Sequence, residues 1–124
     1  MIKAVIFDID NTLYDFSEAN RAGIRAMARY AAPLFSMSED ELIAFHKKTQ
    51  DELTSRLGNV AASHSRLIRY QLMLEKYSIP FHPHLSAMYS LFWDTLIGEA
   101  EPYPDAEPAM RLIKDRGQIG RAHV

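Results

Sequence analysis

The sequence contains no cysteine in its 124 residues, which excludes a disulfide framework and any metal site built from thiolates. No apolar run approaches the roughly 20 residues that span a bilayer, and the apolar start lacks the longer stretch of a secretory signal. Basic and acidic residues number 14 and 16, for a net charge of −2, and the basic ones form no dense run. Neither nucleic acid nor membrane is therefore an expected partner, and the cytoplasm is the expected compartment.

What the chain does contain is the composition of an ordinary folded domain, with 48% hydrophobic and 24% charged residues. Its length fits one small domain. Residues 2–7 form a nearly unbroken apolar run that ends at Asp8, as in a strand of a parallel sheet buried on both faces. Periodicity and capping signals then predict five helices, over about 15–33, 38–57, 63–77, 83–98 and 105–116.

The first four predicted helices have short connections, which is typical of a compact antiparallel bundle. The proline-containing segment 101–105 then separates the fifth helix like a linker. A single buried parallel strand needs partners that this pattern does not provide. The order of elements therefore indicates an α/β fold of which this chain holds mostly the helical part.

The acidic loop, residues 8–15, follows the first strand directly and is the most informative segment. Asp8 and Asp10 are two residues apart, so in extended backbone their side chains point the same way. Two close carboxylates repel each other, which favours a divalent cation beside them, and oxygen donors suit Mg²⁺. Ligands of open parallel sheets bind at this carboxyl end of the strands. The loop is thus a candidate magnesium site.

Other interpretations of the two aspartates compete with this one. Aspartates after a strand commonly serve as turn and cap residues, and for a bare D-x-D pair this alternative stays open. An EF-hand fails, because Leu13 replaces the required glycine and Ala19 replaces the final glutamate. A sugar-nucleotide D-x-D motif would not normally lie this close to the N-terminus.

Residues 5–13, with the sequence VIFDIDNTL, resemble the first motif of the haloacid-dehalogenase-like hydrolases, D-x-D-x-T at the end of the first strand. A helical insertion after that motif resembles the type 1 cap of this superfamily, in the subgroup with phosphoglycolate phosphatases and nucleotidases. The resemblance implies a piece of a doubly wound, Rossmann-like α/β core with an inserted helical-bundle cap. Residues 1–14 would be the first core strand and catalytic loop, 15–100 the cap, and 101–118 the return to the core with its first helix.

The resemblance also implies a chemistry, that of a Mg²⁺-dependent phosphatase acting on a small phosphorylated metabolite. Asp8 would be the nucleophile that forms an aspartyl-phosphate, and Asp10 the general acid for the leaving alcohol and then the base for water. Mg²⁺ would be held by the Asp8 carboxylate and the Asp10 backbone carbonyl. Asn11 and Thr12 would shape the phosphate-binding turn. The acid at Asp10 favours phosphate transfer, because the true dehalogenases of the family lack it.

Three further elements of the family are not found in the sequence. They are a serine or threonine that ends the second core strand, a lysine or arginine that stabilises the phosphoryl group, and a later acidic pair. We therefore expect a chain truncated on its C-terminal side and nearly inactive by itself. Residues 119–124 can be encoded by the opening of a widely used sequencing adapter, which predicts a non-native tail, although Ile119 and Gly120 also fit the start of a strand.

For three polar residues of the predicted bundle, the sequence favours a structural role over a functional one. His46 fits a surface or packing position, and Arg66 and Arg69 fit solvated helix faces. Contact of one of these arginines with a substrate is the less favoured alternative. For the whole chain, the alternative function is a non-catalytic helical binding module with a vestigial acidic loop.

Overall fold

A computed structural model describes residues 2–117 and 119–123, the last five as backbone alone. Met1, Gln118 and Val124, at the bounds of the predicted core and tail segments, lie outside the described residues. In chain order the elements are β1 (Ala4–Asp8), α1 (Phe16–Ala31), a 3₁₀ helix (Ala32–Phe35), α2 (Glu39–Leu57), α3 (Ala61–His64), α4 (Arg66–Lys76), α5 (His84–Glu99), α6 (Ala106–Asp115) and β2 (Ile119–His123). None of the described helices is both long and apolar enough to cross a membrane.

The two strands pair in parallel, with Ala4 opposite Ile119 and Asp8 opposite His123. The prediction that β1 is buried on both faces is wrong for this structure, because Ile6 is 72% exposed. The reason is tertiary: among the described elements β1 pairs with β2, and none of the described helices lies extensively against β1. The backbone of 119–123 thus lies in the sheet, while the non-native origin of the tail stays a prediction.

The predicted starts and ends of α1 and α2 are confirmed. The Asp15 carboxylate caps α1 by accepting a hydrogen bond from the Glu18 backbone at 2.9 Å, and the chain leaves the helix through the 3₁₀ turn. Ser38 and Glu41 form the reciprocal capping box of α2, with bonds of 2.7 and 3.2 Å. Gly58 ends α2 with φ of 75°, a left-handed value that glycine adopts without strain.

The third predicted helix is wrong as a single element, since the chain breaks it into α3 and α4. Ser65 is extended, with φ −68° and ψ 117°, and its side chain caps α4 through the Ile68 backbone. A serine in this position satisfies free backbone donors of the next helix, so a new start competes with continuation. The predicted helices near 83–98 and 105–116 are confirmed as α5 and α6.

α1, α2, α4 and α5 share one hydrophobic core with the 3₁₀ helix, in which α1 packs most extensively on α5. Gly23 allows this approach, because a Cβ there would lie 2.8 Å from the Phe92 carbonyl oxygen. α4 packs against α2 and α5. Fully buried side chains fill the interior: Met27, Leu42, Tyr70, Met73, Leu74, Met88 and Phe92. The bundle thus holds α1 and α4 fixed beside the end of β1.

Candidate active site

Asp8 occupies the last position of β1, where the strand delivers its carboxylate to an exposed edge. Its Oδ2 accepts a hydrogen bond from the Thr12 hydroxyl at 3.1 Å. Among the described residues no hydrogen bond occupies Oδ1 of Asp8. The predicted nucleophile therefore has one oxygen oriented by the loop and a second oxygen without a hydrogen-bond partner in the described part of the chain.

Asp10 is fixed by a different partner from the one that fixes Asp8. The Tyr14 hydroxyl donates to Oδ1 of Asp10 at 2.8 Å. Burial, together with this bond and the charge of Asp10, raises the pKa of Tyr14 to about 12. Tyr14 thus stays a protonated donor at neutral pH and holds the Asp10 side chain in place.

The turn between the two aspartates and α1 is built by Asn11. This residue has a left-handed φ of 57°, which asparagine tolerates better than most residues. Its Oδ1 accepts from the Ser17 backbone at 3.1 Å, in the first turn of α1. The backbone of Thr12 donates to the Ile9 carbonyl at 3.1 Å and closes the turn. Asn11 and Thr12 therefore shape the loop, and contact with phosphate stays a prediction for both.

The segment after α5 returns to the acidic loop. The backbone of Tyr103 donates to the Leu13 carbonyl at 2.8 Å, and Pro102 forms an isolated antiparallel bridge with Tyr14. The acidic loop is thereby held from both sides, by α1 and by the segment that leads to α6.

A cavity of about 350 Å³ opens between this loop and the helices. Asp10 lies in its wall, and α1 contributes side chains at four-residue spacing. The residues that line it are Asp10, Phe16, Asn20, Ile24, Gln50, His64, Arg66 and Arg69. The cavity therefore brings together an acidic residue of the loop and two arginines that are more than 50 positions away in the sequence.

Arg66 extends from the first turn of α4 towards the loop. Its Nη2 donates to Oδ1 of Asn20 at 2.8 Å, and its guanidinium lies 4.1 Å from the centre of the Phe92 ring and 5.1 Å from that of Trp93. Burial lowers the pKa of Arg66 below its ordinary value, and the charge of Asp10 opposes part of that shift. The expectation of a solvated helix face is wrong for this residue.

Arg69 is 4% exposed, so the same expectation is wrong for it as well. Its Nη1 donates to Nε2 of His46 at 3.1 Å, and its buried Nε has no partner among the described atoms. Burial lowers the pKa of His46 to about 3, and the charges of Arg69 and Arg66 add to the effect. His46 is thus a neutral acceptor in a packed position, one of the two roles expected for it.

Tyr14 and Asn20 are residues of this site that sequence reasoning missed. Asn20 follows Phe16 by four positions and precedes Ile24 by four, which places the three on one face of α1. Arg66 likewise precedes the buried Tyr70 by four positions. These four-residue spacings are the sequence signal of the cavity wall. Buried core residues of a helix have the same spacing, so the signal separates wall from core only once the fold is known.

The donor set around the acidic loop fits a hard divalent cation. Asp8 and Asp10 supply oxygen atoms, and Mg²⁺ binds through one or two carboxylates while it keeps several waters. Within the described residues no group of three or more acidic or imidazole side chains is gathered for a metal. The two aspartates therefore fit a site completed by water and substrate oxygen.

The acidic loop lies at the carboxyl end of a parallel strand, which is where open α/β sheets bind their ligands. The family model of haloacid dehalogenase-like hydrolases matches residues 2–122, and the chain belongs to this family.

Two curated relatives align with nearly the whole chain. A ribulose-1,5-bisphosphate 5-phosphatase of Halopiger xanaduensis is 29% identical over 119 residues, covering 94% of this chain and 50% of the relative. A glyceraldehyde 3-phosphate phosphatase of Methanopyrus kandleri is 34% identical over 122 residues, covering 94% of this chain and 48% of the relative. The chain therefore spans about half the length of these relatives.

Proposed function

We propose that this chain carries the nucleophile and the general acid–base of a Mg²⁺-dependent phosphatase that acts on small phosphorylated metabolites. The observation that supports the proposal is the D-x-D-x-T loop at the end of β1, in which Thr12 orients the Asp8 carboxylate and leaves Oδ1 available. Both aligned relatives are named as phosphatases of small phosphorylated compounds.

In the first half of the proposed reaction, an Asp8 oxygen attacks the phosphorus atom of the ester. The bond between phosphorus and the ester oxygen breaks, and a protonated Asp10 carboxyl gives its proton to the departing alcohol. Tyr14 holds the Asp10 side chain through the hydrogen bond to Oδ1. The products of this step are the alcohol and an aspartyl-phosphate on Asp8.

In the second half, water attacks the same phosphorus atom while the Asp10 carboxylate takes a proton from it. The bond between phosphorus and the Asp8 oxygen breaks, which releases inorganic phosphate and restores both aspartates to their starting states. Asp8, through its carboxylate, and Asp10, through its backbone carbonyl, would hold Mg²⁺. When bound, the ion offsets the repulsion between the phosphate and the anionic nucleophile.

We also propose that residues 15–100 act as a cap over this loop and that residues 101–118 lead back to the core. The cavity between Asp10 and the helices supports this assignment, because it places bundle side chains beside the acid–base residue. No lysine or arginine among the described residues hydrogen-bonds to Asp8 or Thr12. Since such a cation stabilises the transferring phosphoryl group, we expect the 124-residue chain to turn over phosphate esters slowly at best.

The experiment that tests the proposal is a calorimetric titration of the whole chain with Mg²⁺, which measures the affinity of the chain for the ion. We expect Asp8→Asn to weaken Mg²⁺ binding by at least about tenfold, since losing even indirect partners of a metal costs 10–100-fold. Asp94→Asn is the matched control, because Asp94 is an exposed carboxylate on α5. Equal Mg²⁺ affinity in wild type and Asp8→Asn would contradict the proposal and favour the non-catalytic binding module.

A further inference from the structure

The cavity wall carries two guanidinium groups and one described carboxylate, that of Asp10. Arg66 and Arg69 both line the cavity, and neither belongs to any ion pair in the described part of the chain. The partner of Arg66 is the neutral amide of Asn20. Asp10 is the acidic residue of the wall, and its carboxylate bonds to Tyr14.

Arg69 is the more unusual of the two arginines. Its side chain is almost fully buried, its Nη1 is bonded to His46, and its Nε has no partner in the described structure. A buried charge is costly unless it is paired with an opposite charge. Arg69 therefore presents a buried guanidinium with an unpartnered N–H donor and no carboxylate within ion-pair distance among the described residues.

The two guanidinium groups also have suitable chemistry and position. Arginine presents planar N–H donors that match the oxygen pairs of phosphate and carboxylate. Arg66 and Arg69 are three positions apart on α4, so they project from the same side of that helix. The Arg66 guanidinium lies over the Phe92 and Trp93 rings, and these contacts limit the conformational freedom of the side chain in the absence of a ligand.

We propose that Arg66 and Arg69 form a subsite that binds a second oxyanion of the substrate, a phosphate or a carboxylate on the molecule whose phosphoryl group faces Asp8. This assignment rests on the proposed phosphatase function and narrows its substrates to small phosphate esters with two anionic groups. Arg66 and Arg69 would determine specificity, while Asp8 and Asp10 would perform the chemistry.

The test uses the single tryptophan of the chain as a reporter, because the Trp93 ring lies 5.1 Å from the Arg66 guanidinium. Inorganic phosphate is titrated into the whole chain without Mg²⁺, and Trp93 emission and the heat of binding are recorded together. We expect saturable binding that Asp94→Asn leaves unchanged, since Asp94 is an exposed carboxylate on α5. Arg66→Gln and Arg69→Gln should each weaken binding by roughly tenfold or more.

Arg56→Gln is the matched control, because Arg56 is an exposed arginine on α2 whose partner is Glu52. Arg66 is only partly buried, so Arg66→Gln remains informative if the Arg69 variant does not fold. A parallel titration with acetate distinguishes the sources: phosphate binding at least tenfold tighter indicates a second phosphoryl group, and equal binding indicates a carboxylate.

The subsite is overturned if neither readout saturates, if both cavity variants bind phosphate like wild type, or if Arg56→Gln weakens binding as much as they do. Failure of the subsite differs from failure of the phosphatase proposal. Mg²⁺ affinity that is the same in wild type and Asp8→Asn, with phosphate binding intact, contradicts the phosphatase, whereas Asp8-dependent Mg²⁺ binding without phosphate binding contradicts the subsite alone.

Discussion

Substituting Gly23 by alanine tests whether the close packing of α1 on α5 holds the bundle together. A Cβ at position 23 would lie 2.8 Å from the Phe92 carbonyl oxygen and 3.0 Å from two carbons of its ring. The ring can shift slightly, but the carbonyl belongs to the backbone of α5. The added methyl group therefore forces the two helices apart.

Two opposing effects set the size of this change. Overpacking of a well-packed core typically lowers the free energy of unfolding by about 1–3 kcal/mol. Replacing glycine by alanine inside a helix raises it by about 1 kcal/mol. Because the nearest atom is backbone, we expect the upper half of the packing cost and a net loss of about 1–2 kcal/mol in the free energy of unfolding. For a chain of this length that lowers Tm by about 4–8 °C.

The assay is thermal and urea unfolding of Gly23→Ala beside Gly98→Ala. Gly98 lies in α5, and a Cβ there would meet no atom within 4 Å. The same substitution should therefore raise stability at Gly98, by up to about 1 kcal/mol, and lower it at Gly23. Stabilisation by both variants would refute the close approach of α1 and α5.

Three further predictions concern local interactions. Ser38→Ala should cost about 1 kcal/mol of unfolding free energy in urea, because it removes the side-chain half of the α2 capping box. Since burial lowers the pKa of His46 from 6.5 to about 3, the unfolded chain binds a proton more readily than the folded one below pH 6.5. The burial of neutral His46 therefore contributes fully to the free energy of unfolding above pH 6.5, and this contribution falls by about 2 kcal/mol by pH 5. His46→Gln keeps an amide oxygen that accepts from Arg69, and it should flatten this part of a Tm–pH curve. An unchanged curve would contradict the burial of a neutral His46. Tyr14→Phe removes the hydrogen bond that orders Asp10, whose backbone carbonyl would hold Mg²⁺, and should weaken Mg²⁺ binding by about tenfold in calorimetry. Unchanged affinity would show that this hydrogen bond does not support the site.

Local signals in the sequence predicted most helix ends, because caps act over three or four residues. Asp15, Ser38 and Gly117 behave as expected: the first two cap helices with their side chains, and Gly117 follows α6 with a left-handed φ of 71°. The break at Ser65 was missed because the predicted helix starts at Ser63, ahead of the serine that caps α4. At that position a new cap competes with helix continuation, and the sequence pattern alone does not rank the two.

Burial on α4 and just after it does not follow side-chain hydrophobicity. Leu67 and Tyr77 are 44% and 46% exposed, whereas Tyr70 and Leu74 are fully buried. The buried face of α4 also includes Arg69 and, in part, Arg66. An expectation that charged side chains face solvent assigns both arginines to the surface. Their burial depends on His46, Asn20 and the aromatic pair of α5, partners that only the tertiary fold brings together.

The acidic loop is the part of the site that sequence reasoning located best. Asp8, Asp10, Asn11 and Thr12 lie together after β1, as the local motif implies. Tyr14 was not predicted to join them, since its hydrogen bond to Asp10 depends on the turn geometry set by Asn11. The catalytic, phosphate-binding and metal-binding roles of the four residues stay predictions for experiment.

The most direct test of the central claim is whether Asp8 accepts a phosphoryl group. Fluoroberyllate is a tetrahedral mimic of that group on a carboxylate oxygen, and ¹⁹F NMR of the whole chain with Mg²⁺, beryllium and fluoride detects the bound form. The account predicts a bound signal in wild type and Asp94→Asn that disappears in Asp8→Asn. A bound signal that survives in Asp8→Asn, or none in wild type, would contradict the assignment of Asp8 as the nucleophile.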